Sequence, residues 1–228
     1  MRLVTIDNGN SNPHVGLFDG KTLKEVIPLK DYKQEINDFI LISNVGKSLD
    51  IKPAFNLRSK RSKTHFFDMK VNYAETLGDD RLIAGLFLYK NITANEKILL
   101  IDAGTFITCD TITSEGFMGG YILPGINRFL KAYSDSAQLP LVPKSGLHSL
   151  NDELPHTTEE AIAKATKIYL KTAIEEIIKK NAPDKIVFTG GTSDDIFNLL
   201  SLKVRSETDH HLIHLGMSLI HQKYLAQA

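Results

Sequence analysis

Two stretches decide the reading: Leu3-Val4-Thr5-Ile6-Asp7-Asn8-Gly9-Asn10-Ser11 near the start and Ile98-Leu99-Leu100-Ile101-Asp102-Ala103-Gly104-Thr105 in the middle. Each begins as a short apolar run rich in branched side chains, the composition of a buried strand. Each then closes on Asp-x-Gly and a polar residue, a turn signal with a carboxylate at its mouth. Strand resumes after both turns. Val15-Gly16-Leu17-Phe18 leads into Asp19-Gly20 as a hairpin turn, and Ile107 to Thr113 leads through Ser114-Glu115-Gly116 into a return strand from Phe117 to Ile122. A strand–turn–strand opening that occurs twice points to two related lobes, divided at 1–95 and 96–228.

Helical patterns fill much of the remainder. Asp80 to Tyr89 has an acidic start and apolar positions at 82, 83, 86 and 87, and Pro124 to Ala132 opens on a proline, which a first helical turn tolerates. Thr157-Thr158-Glu159-Glu160 fits a capping box with Thr157 as N-cap, and apolar residues recur at helical spacing from Ala161 to about Lys180. Lys185 to Phe188 reads as a strand running into Thr189-Gly190-Gly191, and a last helix covers His211 to Leu225. Strands alternating with helices, with hairpins in each half, give an α/β fold with mixed sheets.

Composition narrows the function classes. Across 228 residues, 27 Lys and Arg balance 27 Asp and Glu, which argues against a nucleic-acid binder or a polybasic membrane anchor. The single cysteine, Cys109, excludes an intramolecular disulfide and suits a reducing compartment. No run approaches the roughly 18 apolar residues of a spanning helix, and the N-terminus turns polar at Asp7, too early for a signal peptide. A cytoplasmic location is expected.

A carboxylate at the end of a buried strand sits on the rim of a sheet, where a divalent cation can meet it. The turn that follows can point backbone N–H groups and the side chains of Asn10, Ser11 and Asn12 at an anion. Such turns are also ordinary hairpin turns; two copies together with Thr189-Gly190-Gly191 favour phosphate binding. The histidines His210 and His214 have the i,i+4 spacing of metal ligands but lack a third, so packing is the better reading. The basic stretch Arg58-Ser59-Lys60-Arg61-Ser62-Lys63 reads as a solvated loop given the zero net charge.

The constellation resembles the actin-like (RNase H-like) superfamily of ATPases and sugar kinases, and within it the type III pantothenate kinases. Gly78-Asp79-Asp80-Arg81-Leu82 is similar to that family's Gly-x-Asp-Arg motif. Asp102-Ala103-Gly104-Thr105, Gly119 to Gly125, Leu139-Pro140, Thr158 to Ile162, Thr189-Gly190-Gly191 and Leu215-Gly216 follow in its order. The resemblance implies a two-lobed kinase that transfers phosphate from ATP, with Mg²⁺, to pantothenate, the first step toward coenzyme A. It implies a nucleotide turn over Asp7, Asn8, Gly9, Asn10, Ser11, Asn12, Pro13 and His14, with Thr105 as a further ATP contact. Asp80 would be the general base. Tyr73, Gly78, Asp79, Asp80, Arg81 and Thr158 would bind pantothenate. Asp102 would hold an activating monovalent cation, potassium or ammonium, and the chain would form a homodimer.

Some positions depart from the family. Ser11 replaces a threonine, Pro13-His14 stands where apolar strand residues are usual, Ala165 replaces a helix glycine, and the stretch from Tyr73 to Gly78 is shorter. Proline lacks the ladder donor, so strand entry at Pro13 is expected at an edge or a bend. A charged His14 is one way such a turn would keep its hold on phosphates. The alternatives to pantothenate phosphorylation are a kinase of another small hydroxyl compound and a catalytically weakened paralogue that acts as a regulator.

Overall fold

The computed structural model describes residues 2–135, 138–147 and 153–225. The first apolar run forms β1 (Arg2–Asn8), which pairs antiparallel with β2 (His14–Asp19). The hairpin continues into β3 (Thr22–Pro28), and β4 (Asp38–Asn44) adds parallel to β1, giving the order β3-β2-β1-β4. Val4, Ile6, Val15 and Ile40 form the buried cluster of one face. Two features differ from expectation. The turn residues are Gly20 and Lys21, not Asp19-Gly20. Pro13 does not make β2 an edge: β2 lies inside the sheet, and its ladder with β1 begins only at His14, opposite Asp7. A missing N–H one residue before the ladder costs no sheet hydrogen bond. A minimal hairpin of β5 (His65–Phe66) and β6 (Met69–Lys70) precedes α1 (Asp79–Asn91), the helix expected from Asp80 to Tyr89.

The second apolar run forms β7 (Lys97–Ala103), followed by β8 (Phe106–Thr113) and β9 (Gly116–Pro124). Pro124 therefore ends a strand instead of opening a helix, and α2 spans Ile126–Ser134 with Gly125 as its N-cap. The cause is a non-local contact: the Gly125 N–H bonds to Thr105 O at 3.1 Å, which keeps the chain extended up to that point. The long helix α3 (Thr158–Asn181) has Thr157 as its cap, whose hydroxyl accepts from the Glu160 N–H at 3.2 Å. The Glu160 carboxylate reaches back one residue further than a capping box does, to the His156 N–H at 2.9 Å. β10 (Lys185–Thr189), α4 (Ser193–Leu199) and β11 (Arg205–Thr208) complete a sheet of order β11-β10-β7-β8-β9, in which β10 runs parallel to both neighbours. Leu99, Ile101, Ile107, Leu170, Ile174 and Phe188 lie in its core.

The last helix, α5 (Leu212–Ile220), ends earlier than its apolar pattern suggests and passes into a π-helical turn over His221–Leu225. It packs on α1 and β1. The contacts accordingly gather residues up to Glu96, Ile112–Gly119 and the segment from His211 onward into one unit, and Lys97–Thr111 with Gly120–His210 into another. No helix among the described residues is long and apolar enough to cross a membrane.

The approach of α5 to α1 depends on Gly216, where a Cβ would lie 2.6 Å from Ile83 Cγ2 and 2.8 Å from Ile83 O. Alanine favours a helix interior by about 1 kcal/mol over glycine, yet overpacking against a backbone carbonyl costs typically ~1–3 kcal/mol. Gly216→Ala is therefore expected to lower Tm by several degrees in a thermal melt. A Tm at or above wild type would show that the two helices have room to spare.

Candidate active site

The first unit brings most of the expected residues to one end of its sheet. Asp7 and Asn8 are the last two residues of β1, Gly9 to Pro13 form the turn, and His14 opens β2 directly across from Asp7. Parallel pairing sets Ser43 beside Asp7 and Asn44 beside Asn8. The Asn8 side-chain amide donates to Asn44 Oδ1 and to Lys47 O, both at 2.6 Å, and Asn8 O accepts from the N–H groups of Val45 and Gly46 at 3.1 and 2.8 Å. The floor of the turn is thereby fixed, while Asn10, Ser11 and Asn12 remain exposed.

Asp7 is mostly withdrawn from water, and its buried Oδ1 has no hydrogen-bond partner among the described residues. Burial, followed by the charge of Asp80, pushes its carboxyl up to about 7, with the Ser43 hydroxyl opposing the shift. Asp80 lies in the first turn of α1, where Gly78 as N-cap offers no side-chain acceptor. Its Oδ1 accepts from the Arg81 N–H at 2.8 Å. Burial raises the Asp80 carboxyl as well, against the pull of the Arg81 N–H and charge. Arg81 is buried, with its guanidinium 4.9 Å from the centre of the Tyr73 ring and 5.8 Å from that of Phe117. Asp79 turns aside to pair with Arg58 at 3.0 Å, so the two neighbouring aspartates have separate tasks. A buried carboxylate oxygen without a partner, beside a second carboxylate, is a donor set suited to a divalent cation or to a substrate proton.

Burial disfavours a positive charge on His14. The Thr5 hydroxyl lies 3.3 Å from Gly16 O and shares a hydrogen bond of 2.7 Å with His214 Nδ1. The other ring nitrogen of His214, Nε2, lies 3.3 Å from His14 Nδ1. Burial lowers both rings, His214 to about 3, and each of the two is further opposed by His211. Both are neutral at pH 7, and the 3.9 Å approach of His14 to Asp7 Oδ2 is a polar contact rather than an ion pair. Burial therefore works against the cationic His14 that would compensate for Pro13.

The second unit builds its own turn. Asp102 is half-buried near the end of β7, opposite Thr189 on β10. Gly190 follows with φ +91, and a Cβ there would strike Asp102 Oδ1 and Ala103 O. Thr192 gives both its N–H (2.9 Å) and its hydroxyl (2.8 Å) to Ala103 O, drawing the Thr-Gly-Gly segment against the Asp102 turn. Thr105 is half-buried in that turn. Thr158 is exposed on the first residue of α3, with the capping done by its neighbour Thr157. His210 contacts Ser193 at 3.3 Å and Asp194 at 3.6 Å, and among the described residues no group of three ligands could hold a metal. Sequence reasoning missed Ser43 and Asn44; the signal was the apolar run Phe39-Ile40-Leu41-Ile42 ending, like β1, in two polar residues.

Comparison with known proteins places the sequence and the fold. The sequence model of the type III pantothenate kinases matches residues 38–180. The type III pantothenate kinase of Christiangramia forsetii is 32% identical over 85% of this chain and 87% of its own. That of Campylobacter hominis is 29% identical over 83% and 84%. Among solved structures, a Campylobacter jejuni protein of the Baf family of transcriptional activators superposes with a TM-score of 0.61 at 24% identity, covering 96% of this chain and 98% of that one. A ROK family protein of Streptococcus pneumoniae gives 0.51 at 10% identity over the whole of both chains. The fold is the two-lobed actin-like one.

The Asp7 shift fixes a sign. A carboxyl raised in the folded state binds a proton that the unfolded chain has already lost, so its contribution to stability is full below about pH 4 and is lost as pH rises through about 7. Asp7→Asn is expected to melt a few degrees above wild type at pH 8 in the absence of ligands, with the gap closing toward pH 5. A constant gap across that range would remove the assignment. The conclusion from sequence, fold and site together is that this chain belongs to the type III pantothenate kinase family.

Proposed function

We propose that this protein transfers the γ-phosphoryl group of ATP to the primary hydroxyl of pantothenate, giving 4'-phosphopantothenate on the route to coenzyme A. The observation that carries the reading is the desolvated Asp80 at the head of α1, flanked by Arg81 and electrostatically coupled to Asp7. Family membership implies ATP and a divalent metal. The metal supplies charge neutralisation on the phosphates, and the orphaned Oδ1 of Asp7 is the group in the first unit that fits it.

The remaining work falls to the chain. Phosphoryl transfer asks mainly for positioning, so a single base and fixed donors suffice. Asp80 takes the proton of the attacking hydroxyl; burial raises its affinity for that proton, and the Arg81 N–H keeps the receiving carboxylate oriented. Arg81, steadied against Tyr73, offers a planar fork to the acceptor's carboxylate, with Gly78, Asp79 and Thr158 as further contacts. The turn from Asp7 to His14, together with Thr105, holds the nucleotide. Asp102 holds potassium or ammonium, a role supported by its place beside the tight Thr-Gly-Gly segment. A homodimer is supported by the second unit's apolar exposure, with Tyr121, Ile122, Leu141 and Ile168 all open to solvent. The regulator reading is not favoured, since Asp7, Asp80, Arg81 and Asp102 are all retained.

An assay of ATP consumption with pantothenate tests the reading directly. Asp80→Asn keeps the side-chain volume and is expected to lower turnover by about a hundredfold or more while ATP binding persists. Near-normal turnover would return Asp80 to a helix-start role. Activity is expected to require potassium or ammonium, and Asp102→Asn to weaken that requirement; equal rates in sodium and potassium would overturn the cation assignment.

A further inference from the structure

In the basic stretch from Arg58 to Lys63, Ser59, Lys60, Ser62 and Lys63 are solvated as composition suggests, while Arg58 and Arg61 are half-buried and turn to the backbone. Residues 72–78, between β6 and α1, have no regular secondary structure, so their carbonyl groups need partners from elsewhere. Arg58 donates through Nη1 to Leu77 O at 2.5 Å and to Asp79 Oδ1 at 3.0 Å, and through Nη2 to Glu75 O. Arg61 donates through Nη2 to Tyr73 O at 2.8 Å and to Ala74 O at 3.4 Å, while its Nη1 turns back to Ser62 O and His65 O. Two guanidinium groups thus take four of the five carbonyls from Tyr73 to Leu77.

The base that carries them is itself fixed. Leu57 is buried, Asn56 Oδ1 accepts from the Arg58 N–H at 3.0 Å, and the Arg61 N–H bonds to Arg58 O at 3.0 Å. The held segment has an acceptor-facing residue at each end. Tyr73 lies against Arg81 at one end, and Asp79, gripped by Arg58, immediately precedes Asp80 at the other. A planar fork with several donors matches diverging carbonyls, whereas an ammonium on a flexible stem supplies charge without that geometry.

We propose that Arg58 and Arg61 are positioning residues for the acceptor, a clamp on residues 73–77 that sets Tyr73 and the Asp79–Arg81 turn in place. The inference rests on the functional reading above, which assigns the acceptor to that turn. Neither arginine touches the acceptor; both act through the backbone they hold.

The test varies acceptor and ATP separately in steady-state kinetics of wild type, Arg61→Lys, Arg61→Gln and Arg58→Lys, with hydrogen exchange of the 74–78 amides measured in parallel. Misplacement of a binding group by a fraction of an ångström is expected to raise the pantothenate KM about tenfold in Arg61→Lys as well as Arg61→Gln, with the ATP KM within about twofold of wild type. Exchange at 74–78 is expected to quicken in the same variants. A wild-type pantothenate KM in Arg61→Lys would show that charge alone suffices and overturn the clamp, as would equal rises in both KM values. Should the Arg61 variants fail to fold, Arg58→Lys is read by the same criteria. A wild-type protein with no turnover on pantothenate would overturn the functional reading itself, and unchanged exchange at 74–78 in the variants would then overturn the clamp independently.

Discussion

A carboxylate withdrawn from water is pushed toward its neutral form, and the first unit keeps two such groups: Asp7, whose Oδ1 has no partner among the described residues, and Asp80, which the Arg81 N–H holds. The nearest arginine, Arg81, softens the shift at Asp80 without abolishing it, while Arg58 is occupied with Asp79. A fold that tolerates this arrangement in the absence of ligand has left an attraction for positive charge and for a substrate proton unsatisfied. That unsatisfied attraction is what a phosphoryl-transfer site needs.

The surrounding structure can be understood as support for that pair. Parallel pairing of β1 with β4 carries Ser43 and Asn44 to the same rim as Asp7 and Asn8, and the Asn8–Asn44 contact ties the two strand ends together. On the polar face of β1, the sequence of contacts from Thr5 through His214 to His14 connects the sheet to α5. Helix α5 in turn lies against α1, the helix that presents Asp80, through the small side of Gly216. Both histidines are neutral, so this chain of contacts adds structure without adding charge beside the carboxylates.

Much of this was legible in the residues. The two apolar runs ending in Asp-x-Gly announced β1 and β7, because buried strands and tight turns leave strong local signatures. The acidic start of α1 and the Thr157 cap were equally local. What escaped was non-local or ambiguous. Pro124 satisfies the rules for a helix start, and only the distant Thr105 carbonyl holds it in a strand. Pro13 seemed to demand a sheet edge, but a register beginning one residue later removed the conflict. The arginines at 58 and 61 looked like solvent charge because their partners are backbone carbonyls 12 to 19 residues away, which no side-chain pattern records. The packing of α5 with the first unit has the same origin, since Gly216 and Ile83 meet only after the chain has built the second unit between them.

Carbon-detected NMR titration of the aspartate carboxyl groups measures the buried pair most directly. One aspartate is expected to titrate with a midpoint near 7. Its signal should vanish in Asp7→Asn, and its midpoint should fall in Asp80→Asn, where the second charge has been removed. If instead every aspartate titrates in the ordinary range around 4, the two carboxylates are solvated and independent. The site described here would then lack the electrostatic strain on which its function depends.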